Sequence, residues 1–509
     1  MKLQNLTTPG GTQRVTRPIL AIMCALFVSA CSLAPKENRP NFEIPSSYGQ
    51  TSNLTQPVLD ASDEVGVWKS AEPAEQTHAS PWWNLFEDPT LVRLQEEALA
   101  ANPDVSIAMA RIKQARALTS RSEAARLPEI STGFGPTRQR TSGAAAGQGD
   151  GAPGSTQTLW RAQTSIAYEV DLFGRVASGV AAARADSEQQ TALAHQMLLV
   201  VQADVARTYF SLRQLEAERE LLRETVTLRE AATKVQEDRE QAGAVAGYLV
   251  NQTTTELLAA RSELSSIEQQ YALTSHALAV LVGKPPGSFS LWVDKIQHVT
   301  VQIPAGMPST LLERRPDIAA AERAMVAENA RVGVAKAAFF PSLSLTGSGG
   351  FESLELSNLA NWSQRTFLLG PLVGAVLNLP IFDGGKRKTD VARARALYDE
   401  RVGQYRKTVL QAFREVEDAL VSIRTIDERV VYQQQAQLAS SRVATSAKNR
   451  FEMGDADYLL VVDAGRTHLR SQQLLIQSEG DRARATVDLI RALGGGWDAK
   501  STDLAAAKD

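Results

Sequence analysis

The chain is written twice, and that constrains its fold more than any other feature. The segment beginning Phe210-Ser211-Leu212-Arg213 has a counterpart at Val421-Ser422-Ile423-Arg424, 211 positions later. The same offset carries Glu218 to Arg429, Arg184 to Arg395, Gly243 to Gly454 and Gly283 to Gly494. Nearer the front, an offset of 213 carries Pro103-Asp104 to Pro316-Asp317 and Pro128 to Pro341. A period this long is not that of a solenoid, whose units run roughly 20–50 residues. It marks one structural unit of about 190 residues used twice in a pseudo-symmetric body.

Within each copy the pattern changes character in a fixed order. From Asp88 to Arg126 the apolar spacing is helical, with Leu91, Leu94, Ala98 and Leu99, then Val105, Ile107 and Ile112. Asn102-Pro103 breaks this stretch into two helices. Two strands follow. Trp160, Ala162, Thr164, Ile166, Tyr168, Val170 and Leu172 hold the even positions, with Arg161, Gln163, Ser165, Ala167, Glu169 and Asp171 on the odd ones. That is the period-two signature of a strand with one apolar and one polar face. Such a strand is long for a soluble sheet but suits a tilted membrane span of about 9–11 residues or more. The expected strands are 129–140 and 158–173, joined through the Gly/Ala/Ser-rich stretch 142–156. In the second copy they are 342–352 and 366–382, joined by 352–366. The latter strand is almost wholly apolar, but Gly370, Pro371, Gly374, Asn378 and Pro380 argue against a membrane helix.

The chain then turns helical for a long way. Between Arg175 and Gln241 there is no proline, and Gly179 is the only glycine. Val205, Thr208, Leu212, Leu215, Leu222 and Val226 keep three-four spacing, as do Val416, Ala419, Ile423, Ile426 and Val430. This is a coiled-coil seam on a helix of roughly 100 Å at 1.5 Å per residue. Gly243 and Gly454 end the long helices. Return helices carry the seam back through Leu257, Ala260, Leu264, Ile267, Tyr271, Leu278 and Leu281, and close at Gly283 and at Gly494.

Lys2, Arg14 and Arg17 precede an apolar run from Ile19 to Val28. That is an export signal, too short to span a bilayer as a helix. Val28-Ser29-Ala30-Cys31 resembles a bacterial lipoprotein box, which implies cleavage before Cys31 and acylation of that residue; Ser32 in the next position implies the outer membrane. A plain secretory signal is the alternative. Cys24 leaves with the signal, so no disulfide is expected. The expected organisation is a signal peptide over 1–30, an extended lipidated arm over 31–80, a first repeat over 81–292, a linker over 293–308, a second repeat over 309–497 and a tail over 498–509.

The net charge of −3 gives no basic footprint for nucleic acid. The five histidines lack metal-ligand spacing, so no metal and no cofactor beyond the Cys31 lipid is expected. Gly-Ser-Gly-Gly at Gly347 and Gly-Gly-Lys at Gly384 lack the spacing of a nucleophile elbow or a phosphate loop, and the chain reads as a non-enzyme. Four membrane strands cannot close a barrel, and an open edge cannot face lipid. The chain must therefore assemble with copies of itself.

These parts together resemble the TolC-like outer-membrane factor family, in its lipoprotein branch of efflux channels serving multidrug pumps. The resemblance is carried by Cys31, PWWNLFEDPTL at Pro81, ANPDV at Ala101, RRPDIAAAE at Arg314, YEVDLFGR at Tyr168, LPIFDGGKR at Leu379, RFEMGDADYLLVVDA at Arg450 and RALGGGW at Arg491. They span residues 81–497. The resemblance implies a homotrimer whose strands form a twelve-stranded membrane β-barrel continuing into a long α-helical barrel, a twelve-helix periplasmic tunnel. It implies a passive exit duct for small toxic compounds, docked through a periplasmic adaptor (membrane fusion) protein to an inner-membrane pump of the RND type. A duct for protein secretion or metal efflux is the alternative within that class. A structural coiled-coil envelope lipoprotein is the alternative outside it.

The resemblance also places a periplasmic gate. Asp463 aligns with an inner aspartate ring, and Arg466 lies one helical turn further on the same face. Leu460 stands where some members have a second acid. Read without the family, Asp463 is a solvated helix carboxylate. Gly243, Gly247, Gly454, Asp455 and Asp457 fall in the turns at the tip, as adaptor-facing positions or simply as helix stops and turn residues.

Overall fold

The computed structural model describes Pro35, residues 81–291 apart from 144–146, 148, 150 and 152, and residues 315–369 and 374–495. Cys31, the arm apart from Pro35, the linker and the tail therefore lie outside the described residues. The duplication is literal in the elements. Helices α1 (Pro89–Ala101) and α2 (Pro103–Ala124) precede strands β1 (Glu129–Thr141) and β2 (Ser155–Val170). Helices α3 (Arg175–Gln241) and α4 (Gly247–Leu281) follow. The second copy supplies α5 (Pro316–Ala337), β3 (Ser342–Ser353), the short β4 (Arg365–Leu369) and β5 (Ala375–Asn378), then α6 (Lys386–Glu452) and α7 (Tyr458–Ala492). Both long helices have 67 residues, both return helices 35, and α2 and α5 each have 22.

The chain divides into two compact units, each taking a share of both copies. The first holds Lys113–Gln189 and Glu322–Gln404 and contains the whole sheet. Its strands run in the order β1-β2-β3-β4, with β5 also pairing with β3, and every pairing is antiparallel. The two copies meet at β2 and β3, in register from Trp160 opposite Ser353 to Val170 opposite Leu343. Ion pairs tie the neighbouring helices: Arg184 to Glu123, Arg323 to Glu188, and Arg331 to Asp186.

The second unit takes the described residues from Pro81 to Ile112, Gln190–Ala321 and those from Tyr405 onward, while Pro35 falls in the first. Its core gathers Trp82, Leu91, Leu94, Ala98, Val205, Tyr209, Leu212, Leu278, Val487 and Ile490, all at most 5% exposed. The seam explains the choice: Val205, Leu212 and Leu222 are fully covered, as is Val416 in the other copy. Caps fix where the short helices begin. Asp88 accepts from the backbone N–H of Thr90 and Leu91, and Asn102 from those of Asp104 and Val105. Asp88 also takes the Tyr209 hydroxyl and the buried Arg213 guanidinium, which joins α1 to α3.

Two strands differ from the sequence expectation. β2 spans Ser155–Val170 instead of 158–173, because Asp171 turns away to accept the N–H of Ala177 and start α3. The expected strand 366–382 is two short pieces that end at Asn378. Gly374 interrupts it with φ +89° and offers its carbonyl to the Thr346 N–H, and Pro380, which lacks an N–H, cannot extend the ladder.

Candidate channel wall and periplasmic tip

Register makes the sheet two-faced. Ile130 lies opposite Ile166, which lies opposite Gly347 and then Leu369. Phe134, Ala162 and Phe351 share that face, as do Pro136, Trp160, Leu343, Leu345, Phe367 and Leu377. It is largely apolar and uncovered: Phe367 is 78% exposed, Phe134 67% and Ile130 66%, while Arg138, Arg140 and Arg365 lie on it toward the loops 142–154 and 354–364. The other face carries Ser131, Ser165 and Ser348 in one row and Arg161 opposite Glu352 in another. Ser131 and Ser165 hydroxyls meet at 2.7 Å, and Arg161 Nε donates to Glu352 at 2.9 Å. A sheet with a wet, hydrogen-bonded face and a naked apolar one suits a wall between water and lipid. Gly347, of the Gly-Ser-Gly-Gly stretch set against a nucleophile elbow, is simply part of this wall. Gly384, of the Gly-Gly-Lys stretch, has φ +65° in the turn before α6.

The turns between long and return helices are built alike in both copies. Gly243 and Gly454 adopt φ +71° and +76°. Gly243 N–H bonds Glu240 O while Ala244 N–H bonds Arg239 O, and Gly454 and Asp455 repeat this onto Phe451 and Arg450. These are Schellman stops. Asp455 is held by Arg450 at 3.0 Å, and the Asp457 carbonyl takes the Leu460 N–H, opening α7. Gly247 begins α4, packed so close that an added Cβ would lie 2.6 Å from Glu240 Oε1. Phe451 packs edge-on against Tyr458, with centroids 5.3 Å apart.

Asp463 and Arg466 sit on α7 with their charged atoms 3.9 Å apart, both more than half exposed. Leu460 is 40% exposed. The stronger bond of Arg466 goes elsewhere, to Glu256 on α4. Glu256 is buried, and its second oxygen lies 3.2 Å from Arg229 on α3. One carboxylate is therefore clamped between two guanidiniums from two other helices. Burial, together with the like charge of Arg466, lowers the Arg229 pKa below the usual guanidinium range. The same pair of return helices repeats the contact further along, where Gln473 donates to Glu263 at 2.6 Å. Nothing in the sequence singles out Glu256 or Arg229. They are two charges among many, and their partners lie 210 and 27 residues away.

Comparison with known proteins decides what such a wall and tip belong to. The sequence profile described as "Outer membrane efflux protein" matches residues 94–284 and 307–495, one match per copy. The chain belongs to the outer membrane efflux protein family. It is 30% identical to the toluene efflux pump outer membrane protein TtgF of Pseudomonas putida, over 96% of this chain and 99% of that one. It is 32% identical to the outer membrane protein OprJ of Pseudomonas aeruginosa, over 94% and 96%. Among solved structures, the outer membrane channel CmeC of Campylobacter jejuni superposes with a TM-score of 0.80 at 26% identity, covering 92% of this chain and 96% of that one. This outer membrane efflux protein is thus an outer-membrane channel with a β-barrel and a periplasmic helical extension, the exit duct of an efflux pump.

Proposed function

We propose that this chain forms a homotrimeric duct, gated at its periplasmic tip, that releases small toxic compounds or drugs handed over by a periplasmic adaptor and an RND-type inner-membrane pump. The observation that carries the reading is the two-faced sheet whose outer strands, β1 on one side and β4 with β5 on the other, are paired on their inner edges only, with no partner on the outer edge among the described residues. Those ladders need partners, because an unpaired strand edge cannot stand in hydrocarbon. Four strand lines per chain and three copies give roughly twelve, wide enough for a wet lumen where about eight would be filled by side chains. The duct works by passage, with no catalytic step. Of the relatives' cargoes, toluene and other solvents and drugs set the class expected here.

The gate is Asp463 with Arg466 and the clamp on Glu256. Three copies of Asp463 around a narrow axis make a negative ring that favours cations. The tip turns at Gly243, Gly247, Gly454, Asp455 and Asp457 face the adaptor. Lipid on Cys31 anchors the chain. Support comes from Pro35, whose carbonyl accepts from the buried Asn329 side chain at 2.8 Å. Cys31 is four residues upstream and so can lie at most ~14 Å away. Asn329 is eight residues, or about 12 Å, from the end of α5 and the start of the sheet, so an acyl chain there reaches the inner face of the outer membrane.

Planar-bilayer conductance of the purified lipidated protein tests the gate. Wild type is expected to give small cation-selective openings, and Asp463→Ala larger and less selective ones. Identical conductance and selectivity would remove Asp463 from the gate. Absence of conductance from a monomeric particle would sink the duct and favour a tethering lipoprotein.

A further inference from the structure

Where β2, β3 and β5 end against the helices of the first unit, the residues line an open cleft of about 480 Å³, within the range that takes small ligands and headgroups. Val170, Ser342 and Asn378 border it from the sheet, and Phe340 and Phe173 form one wall, stacked at 4.8 Å. Most of its charges are already committed. Arg175 holds Glu169, Arg387 holds Asp383 at 2.7 Å and donates to the Pro380 carbonyl, and Asp171 takes the Ala177 N–H. Two groups remain. The side chains of Lys386 and Asp390, one turn apart on α6, line the cleft from its solvent-exposed side, and neither bonds any described group. They do not bond each other.

The rim is equally unusual. Ile381 is 91% exposed and Phe382 90%, the two most exposed large apolar side chains in the described chain, and Leu379 beside them is 54% exposed. They continue the uncovered apolar face of the sheet at its helix-side end, the level at which a membrane strand leaves hydrocarbon for headgroups. Aromatic and cationic side chains collect at that level in membrane proteins.

We propose that this cleft seats the headgroup of a zwitterionic, ethanolamine-type glycerophospholipid, with its phosphate on the Lys386 ammonium and its ammonium on the Asp390 carboxylate. Its acyl chains lie over Phe382 and Ile381. One free cation and one free anion suit a headgroup carrying one of each. An anionic headgroup would satisfy Lys386 and leave Asp390 facing like charge. The proposal rests on the outer-membrane placement of the sheet and goes beyond the efflux reading, since it concerns the lipid contact and not the cargo.

The test reconstitutes the full chain into vesicles of equal phosphatidylethanolamine and phosphatidylglycerol, re-extracts it in mild detergent and counts retained lipid by native mass spectrometry. Wild type is expected to retain the ethanolamine lipid about fivefold over the glycerol lipid, the scale of exposed charge contacts. Lys386→Gln and Asp390→Asn should each bring the ratio close to one. The exchanged pair, Lys386→Asp with Asp390→Lys, should recover it. Equal retention by inserted wild type overturns the site, as does preference for the anionic lipid. Efficient disulfide crosslinking of Phe382→Cys between copies would also overturn it, by showing that protein covers this rim. If wild type fails to insert at all, the outer-membrane placement falls with it.

Discussion

Glu256→Gln isolates the charge at the centre of the tip. The substitution keeps size and shape but leaves Arg229 and Arg466 facing each other with no anion between them. Breaking a fully buried ion pair costs about 3–5 kcal/mol, whereas an exposed pair contributes about 0–1 kcal/mol. The clamp lies between these limits. The Glu256 side chain is 10% exposed and Arg229 20%, but Arg466 is 57% exposed. A loss of about 2 kcal/mol is therefore expected, which shifts the closed-to-open balance of the tip by roughly 30-fold. Bilayer recordings should show longer and larger openings, and hydrogen exchange should speed up in residues 247–260 and 458–470. Because the Arg466 flank is exposed, wild type itself should open more often at high salt, where the screening length falls to about 3 Å at 1 M. The cycle with Arg466→Gln supplies the control, since coupled residues give a double variant milder than the sum of the two. If Glu256→Gln matched wild type in both conductance and exchange, or if the two changes simply added, the clamp would not hold the tip.

Three further outcomes follow from the geometry. Gly350→Ala would place a Cβ 2.1 Å from the Ala162 carbonyl oxygen and 2.7 Å from Gln163 Cα; both are backbone atoms, so β2 and β3 must part, and heat-resistant oligomer on gels should be lost. Gly454→Ala forces an alanine to φ +76°, and should destabilise the tip turn by about 1 kcal/mol, visible as faster exchange there with the melting temperature of the remainder little changed. Asp204 is half-buried, and burial raises its pKa above the ordinary value despite Arg207 and Arg491. A raised carboxylate binds its proton more tightly in the folded state, so its effect is absent below the unfolded pKa near ~3.9 and costs stability as pH rises through the folded value. Asp204→Asn should therefore be more stable to unfolding than wild type at pH 7, by less than about 1 kcal/mol, with the gap closing toward pH 4 in melts taken across that range.

Lys386, Asp390 and Glu256 show where reading along the chain stops working. The fold was legible because it rests on periodicity. Alternation over Trp160–Val170 announces a two-faced strand, three-four spacing through Val205, Leu212 and Leu222 announces a packed helix, and Gly243 and Gly454 announce its end. Each signal is local, and the helical spacing and the glycine stops appear twice. The fourth strand was legible only in part. Apolar composition locates it, but the break at Gly374 depends on a backbone turn that offers its carbonyl to Thr346 on the facing strand. Asp463 and Arg466 were found by resemblance, and the structure places them one turn apart but sends Arg466 to Glu256.

The sequence by itself determined the duplication, the equal lengths of the paired helices and the polar and apolar faces of the strands. These depend on near neighbours and on the periods of helix and strand, which the order of residues contains outright. Only the tertiary structure decided that the two copies join at β2 and β3, that Glu256 is clamped between Arg229 and Arg466, and that Lys386 and Asp390 are left facing a cleft without partners. Whether a charge is paired depends on which helices lie side by side, over separations of up to 210 residues. At such distances in sequence an exposed charge and a clamped one look the same, and only the packing of the seams tells them apart.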